Sequence, residues 1–415
     1  MTIEVEIISD EMIKPSSPTP THLRNLKLSL LDQIAPPIYV PLIFFYNYLQ
    51  NLSRHQISTL LKQSLSNILT VFYPLAGRIH DNSSINCNDL GAEFVEARVH
   101  TSLSEIIKNP SMEELKKLQI SSGEDEKVML RVKICFFDCG GISVAICISH
   151  KIADGTSLVA FANAWAAASR GEIPKFKPSF DFASVFPPRD LSGLESTQRV
   201  GITRERIATK RLVFDKEELR KLKIKSGSQV KNIPTRVEAV SSYIWRRFID
   251  AAKAKADTKT TSFAAAHAVN LRPRKSPPFS QHMFGNCWRP AIALSGAEAS
   301  EAELVGKLRG AITRMDGDFI GQIENGEYLN VLSRSVDLFI KGGVEFSNFS
   351  SWCRFPMYEV DFGWGKPVWV CTTTLPFKNL VILMGTPCGE GIEAWVNIVE
   401  EDMKMFEQSQ QLVIH

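Results

Sequence analysis

The sequence predicts an α/β protein built from two domains of related design. At 415 residues, with ordinary apolar and charged fractions, the chain is long enough for two domains. Apolar runs of strand length alternate with helical patterns in both halves. Between them, from Glu172 to Lys210, the texture changes to Pro174, Pro178, Pro187, Pro188, serine and charge with little periodicity, as in a long crossover.

Taken in order, Ile3 to Ile8 alternates like a strand, and Pro18-Thr19-Pro20 breaks it. Pro36-Pro37 leads into the apolar run from Ile38 to Tyr46, expected as a loop rich in proline and aromatics that lines the core or walls a pocket. Ser53 and Gln56 form a capping-box pattern ahead of a helix whose apolar face is Ile57, Leu60, Leu61, Ile68 and Leu69, stopped at Tyr73-Pro74. Phe94 to Val99 alternates as a strand, and Val128 to Phe137 is expected to pair with the β-branched run Ile142 to Ile148, which Gly140-Gly141 precedes. Past the crossover, Lys210 to Asp215 has strand character. Thr235 and Glu238 box the start of a second helix, and Phe263 to Val269 is expected as a buried strand.

Composition excludes several classes. No apolar run approaches the roughly 20 residues that span a bilayer, and the N-terminus lacks a basic stretch followed by a signal-like segment, so a cytoplasmic protein is expected. Eight cysteines without a Cys-x-x-Cys pair imply reduced thiols and no metal site. A formal charge of +3 without a basic tract argues against nucleic acid.

The chemical signal is Ser149-His150-Lys151-Ile152-Ala153-Asp154-Gly155, where a buried strand gives way to a helix carrying Leu158, Phe161, Ala162 and Trp165. Asp154 is a candidate N-cap, and His150 lies at a corner where a polar side chain can project into a cleft. A core histidine beside a capping aspartate is the bland alternative. A second signal, Asp361-Phe362-Gly363-Trp364-Gly365, has glycines on both sides of a tryptophan and makes a tight turn, structural or functional.

Together with Tyr73-Pro74-Leu75-Ala76-Gly77-Arg78, Asn270-Leu271-Arg272-Pro273-Arg274 and Gly285-Asn286, these segments resemble the plant BAHD acyltransferases, in the family's order across nearly the whole chain. Pro15 to Pro20, Cys87-Asn88-Asp89 and Ser351-Trp352-Cys353-Arg354 point toward its alkaloid-acetylating members. The resemblance implies two similar-sized chloramphenicol-acetyltransferase-like domains of mixed sheets flanked by helices, placed at 1–185 and 210–415 with the crossover at 186–209. They would meet along a channel holding His150, the first domain carrying His150 to Gly155 and the second Asp361 to Gly365.

It further implies transfer of an acyl group, acetyl above all, from acyl-CoA as cosubstrate to an alcohol, with no permanent cofactor, in a monomer. His150 would be the general base, the residue type suited to take a hydroxyl proton near neutral pH. Asp154 would point away and pair with Arg272; Asp361, Gly363 and Gly365 would be structural, and Trp364 would either donate to the oxyanion or brace a wall. Coenzyme A phosphates are expected near Thr235, Arg274 and Asn286. The acceptor pocket is expected from Ile34, Tyr39, Phe284 and Thr373 in a strand Thr372 to Thr374, fitting a polycyclic alkaloid, a terpenoid, a phenolic or a simple alcohol. The related carrier-protein condensation domains carry a second histidine where this chain has Ser149. A non-acylating binding homologue is the rival of another class.

Overall fold

The computed structural model describes residues 3–47, 52–120, 127–173, 177–194, 201–227, 233–255, 262–340 and 343–411. Pro174 and residues 195–200 of the expected crossover lie outside them. The chain forms two compact units: the first takes Met1–Asp190, Ser280–Asn286 and Phe355–Thr373, the second Leu191–Phe279, Cys287–Arg354 and Thr374–His415.

The first unit is organised by a mixed six-stranded sheet whose strands run Val5–Ile13, Ala92–Val99, Leu130–Phe137, Ile142–Ser149, Tyr39–Tyr46 and Trp369–Cys371 across it. The central strands Leu130–Phe137 and Ile142–Ser149 are buried at every position; Ile142–Ser149 accordingly reads as a nearly continuous apolar run, whereas Leu130–Phe137 buries Arg131 and Lys133 among its apolar residues. They pair antiparallel as expected, closed by a turn at Gly140, where φ is +83°. The edge strand Val5–Ile13 is mostly exposed on both faces and pairs only on one side.

The run Ile38 to Tyr46 is not a loop. Tyr39–Tyr46 is a buried strand inserted between Ile142–Ser149 and Trp369–Cys371, and Pro41 is accommodated although proline gives the ladder no N–H. The last of those pairings also places Asp361 to Gly365 in the first unit instead of the C-terminal one: Trp369 stacks on Phe45 at 5.2 Å, and the Thr372 hydroxyl donates to the Pro41 carbonyl at 2.9 Å. The strand stops at Cys371, so Thr372 to Thr374 extends past it as irregular chain.

Two helices lie close to each other in this unit, Arg54–Val71 and Gly155–Ser169. The first has the Ser53/Gln56 capping box, and the Trp165 indole of the second donates to Ser64 at 3.1 Å. The second unit carries a mixed sheet of six strands, ordered Trp288–Ser295, Ser262–Asn270, Val344–Ser351, Leu380–Gly385, Ile392–Val399 and Ile207–Phe214. Its main helix, Arg236–Lys253, begins with the Thr235/Glu238 box and buries Val240, Ile244, Trp245 and Phe248. Each unit is thus an α/β body around a six-stranded sheet, the related design the sequence predicts.

Candidate active site

Ser149 ends the central strand, and the chain turns through His150 to Asp154 before the helix Gly155–Ser169 begins. The His150 backbone N–H donates to the Ile38 carbonyl at 2.8 Å, one residue before the neighbouring strand starts, so the corner is tied to the sheet as far as the histidine itself. Asp154 is the N-cap: its carboxylate accepts the Ser157 N–H at 2.9 Å, the role its spacing predicts.

Against this corner the chain returns with Gly285-Asn286. Ser157 Oγ donates to the Gly285 carbonyl at 2.9 Å, and the Gly285 N–H donates back to Ser157 Oγ at 3.1 Å. Gly285 has φ +144°, and a Cβ there would come within 2.8 Å of Phe182, so glycine is what allows the segment to approach.

Asn286 is thereby delivered to the histidine. Its Nδ2 donates to His150's own carbonyl at 2.7 Å and to Asp32 Oδ1 at 2.9 Å, and its backbone N–H donates to the same Asp32 oxygen at 2.8 Å. Both neighbours of Nδ2 are oxygen acceptors, which fixes the amide with its oxygen toward the ring, 3.0 Å from His150 Nδ1. Nδ1 must therefore carry the hydrogen in that contact. A neutral imidazole so held has its lone pair at Nε2.

Electrostatics keep the ring neutral. Burial pushes the His150 pKa below its usual value, with the Asp154 carboxylate partly opposing the shift. The ring is still only part-buried. Lys151 is deeply buried: its Nζ donates to the Gln33 carbonyl at 2.7 Å and to the Ala35 carbonyl at 3.3 Å, and burial pulls its pKa down to about 8 against the raising influence of Asp32. The arrangement presents an imidazole nitrogen able to accept a proton from a hydroxyl at neutral pH.

His267, in the second unit, is likewise held neutral by burial. Both histidines have folded pKa values below the roughly 6.5 of an unfolded chain, so the unfolded state binds more protons as the pH falls. Their contribution to stability is complete above about pH 6.5 and is lost as pH drops through the folded values. Urea midpoints measured between pH 8 and pH 5 should hold steady and then decline below about 6.5; an unchanged midpoint at pH 5 would contradict neutral, buried rings.

The other expected site residues distribute as follows. Asn286 is wholly buried and spends its amide on His150 and Asp32, so it is not a coenzyme A ligand. The helix N-terminus at Thr235 is already compensated: Thr235 caps the Glu238 N–H, and Glu238 returns to the Thr235 N–H while pairing with Arg309. A phosphate there would face that carboxylate. Arg274 donates to the Ile312 carbonyl at 3.3 Å, and Arg272 is wholly buried; both belong to the second unit.

Phe284 packs edge-on between Phe72 and Phe180 as part of an aromatic core. Ile34 is buried as the C-cap of the short helix Leu30–Gln33, and the Tyr39 hydroxyl donates to Val128 beneath the Arg131 guanidinium. Thr373 is 2% exposed.

Trp364 is far from the histidine. Asp361 accepts the N–H groups of Gly363 and Gly365, both at 2.8 Å, and the turn lays Trp364 edge-on against Tyr46 and flat against Phe362. Tyr46 is registered with Ile142, at the opposite end of the strand from Ser149; seven residues at about 3.3 Å each put it roughly 23 Å from the His150 corner. The helix gives the same measure, because Ser169 donates to the Phe362 carbonyl fifteen residues after Asp154, about 22 Å along the axis. An indole at that distance cannot serve an oxyanion formed at His150, and among the described residues its buried Nε1 has no hydrogen-bond partner. Trp364→Phe should therefore leave turnover within about threefold of wild type, since phenylalanine preserves the ring stack and removes a buried unpaired donor. A loss of 10²-fold or more, the size seen when an oxyanion donor is removed, would contradict the placement.

Asp32 carries no motif of its own. Its trace in the sequence is the spacing Ser29-x-x-Asp32, which is realised as a capping box.

Comparison with known proteins decides the family. The model of the Transferase family matches residues 3–413. The chain belongs to this family, that of the BAHD acyltransferases. This BAHD protein is 44% identical to stemmadenine O-acetyltransferase of Catharanthus roseus over 98% of its own length and 96% of the relative's. It is 42% identical to vinorine synthase of Rauvolfia serpentina with the same coverage. The vinorine synthase crystal structure superposes with a TM-score of 0.85 at 41% identity, covering 97% of this chain and 96% of that one. TRI101 of F. sporotrichioides, at 18% identity, TM-score 0.70 and coverage of 93% and 97%, shares the fold. The BAHD chain is an acyl-CoA-dependent O-acyltransferase of two α/β domains with mixed sheets.

Proposed function

We propose that the enzyme transfers an acetyl group from acetyl-CoA to a hydroxyl of a polycyclic alkaloid, with His150 as general base, in a ternary complex. The observation that carries the base assignment is the Nδ1 contact to Asn286 at 3.0 Å, which leaves Nε2 as the proton acceptor. The acceptor hydroxyl gives its proton to Nε2 as its oxygen attacks the thioester carbonyl carbon. The tetrahedral intermediate then collapses with cleavage of the carbon–sulfur bond, and the imidazolium returns the proton to the departing thiolate, yielding ester and free coenzyme A. Direct transfer needs no serine or cysteine nucleophile, and the charge balance closes on the imidazole alone.

The alkaloid class is supported by the two alkaloid-pathway relatives, at 44% and 42% identity. A terpenoid alcohol is the second reading, favoured by the limonoid 1-O- and 7-O-acetyltransferases of Citrus sinensis at 36% and 38%. A cytoplasmic monomer fits both. Among the described residues no helix is long and apolar enough to cross a membrane.

The test is release of free coenzyme A from acetyl-CoA in the presence of panels of alkaloid, terpenoid and phenolic alcohols, each product identified by mass. Alkaloid esters as the preferred products support the proposal. Esters formed from limonoid-type alcohols alone would replace it with the second reading.

A further inference from the structure

We infer that Asp32 is a positioning residue for the reaction, acting on His150 through Asn286. The inference rests on His150 being the base. Asp32 is 4% exposed, and each of its carboxylate oxygens faces two donors. Oδ2 accepts the Ser29 N–H at 3.0 Å and the Ser29 hydroxyl at 2.6 Å; Oδ1 accepts the Asn286 N–H at 2.8 Å and Nδ2–H at 2.9 Å.

Two donors from one residue converging on one oxygen fix both the position of the Asn286 backbone and the rotation of its amide. A flipped amide would set its oxygen against a buried carboxylate, a repulsion that low dielectric magnifies. The Asp32 oxygen therefore helps keep the Asn286 oxygen turned to the ring, and so holds the hydrogen on Nδ1 and the lone pair on Nε2. Asp154 caps its helix by accepting the Ser157 N–H.

Lys151 strengthens the same frame. It follows His150 directly and its ammonium holds the carbonyls of Gln33 and Ala35, next to Asp32 in the chain. The three segments that carry Asp32, His150 and Asn286 are thus joined pairwise around the imidazole: Ile38 to His150, Asp32 to Asn286, and Asn286 to His150.

A purely structural role is the alternative, because Asp32 also completes the capping box of the helix Leu30–Gln33. Ser29→Ala removes the cap's side chain and one donor to Oδ2 but leaves both Asn286 contacts at Oδ1, so the two roles separate in the tautomer and in the size of the loss. The experiment compares Asp32→Ala, Ser29→Ala, Asn286→Ala and the double variant Asp32→Ala/Asn286→Ala in the full chain. It reads kcat, the KM for acetyl-CoA, and the ¹⁵N spectrum of the labelled His150 imidazole.

The expected result is a wild-type ring with a protonated Nδ1 and an unprotonated Nε2. Asp32→Ala should show tautomers averaged and kcat reduced about tenfold or more with KM unchanged, and Ser29→Ala, which takes one donor from Oδ2 but keeps both Asn286 contacts, should keep the Nδ1–H tautomer with a clearly smaller loss of kcat. In the Asn286→Ala background, loss of Asp32 should lower kcat no further, since a residue that acts through another is non-additive with it. Should Asp32→Ala prove insoluble, Asp32→Asn takes its place in the same cycle, with a smaller loss that again disappears in the Asn286→Ala background.

Additive losses, an unshifted tautomer with unchanged kcat, or an equal loss in Ser29→Ala would overturn the inference. Its failure is distinguishable from failure of the base assignment, which would show instead as an active His150→Ala enzyme.

Discussion

His150→Ala is expected to lower turnover by about 10²–10⁴-fold while leaving the fold and acyl-CoA binding nearly intact. The magnitude follows from what the side chain does and the selectivity from what it does not do. Its Nδ1 contact to Asn286 is lost, whereas a tie to the sheet runs through the His150 backbone N–H to Ile38, which alanine keeps. The Asn286 amide retains Asp32 and the backbone carbonyl of residue 150. A folded variant with an unchanged KM for acyl-CoA and turnover close to wild type would remove the general base from the mechanism.

Asn286→Ala is expected to be the second most damaging change, and on both stability and rate. It withdraws a hydrogen-bond donor from the buried Asp32 carboxylate and another from the His150 carbonyl; a buried polar group left unsatisfied costs about 1–3 kcal/mol, more when charged. The thermal midpoint should fall accordingly. On rate, the imidazole loses the acceptor for its Nδ1–H, and misplacing a reacting group by about 1 Å costs on the order of 10²-fold. The loss should fall on kcat with KM for acyl-CoA unchanged. A coenzyme A ligand would behave in the opposite sense, KM rising with kcat preserved, so the kinetic split decides between the two roles.

Much of both units could be read from the residues, because these signals are local. The strand Ile142–Ser149, the cap at Asp154 and the boxes at Ser53 and Thr235 are each spelled within a few positions. The strand Tyr39–Tyr46 escaped, since Pro36, Pro37 and Pro41 suggest irregular chain, and nothing local reveals that a central place in the sheet outweighs the lost N–H.

The site itself was half legible. His150 stands out by its corner, but its partner Asn286 lies 136 residues from it, and Asp32, which holds Asn286, lies 254 residues from Asn286; such pairings leave no periodic trace. The same holds for Asp361 to Gly365. Its glycines announce a turn, yet its place in the first unit depends on chain that docks 331 residues away, as in the Thr372 to Pro41 hydrogen bond. Two glycines with φ of +110° and +102°, anchored on one carboxylate, account for the motif as a structural lock on Tyr46 and Trp165.

The central claim, that a neutral His150 takes the proton of the attacking alcohol, is tested most directly by the pH dependence of kcat/KM in wild type and His150→Ala, which reports the ionisation of the free enzyme's base. With the imidazole pKa lowered by burial, wild type should show a rising limb with an apparent pKa below about 6.5 and a plateau through neutral pH. The limb should be absent from the residual activity of His150→Ala. The same limb persisting in the variant would assign the ionisation, and with it the base, to another group.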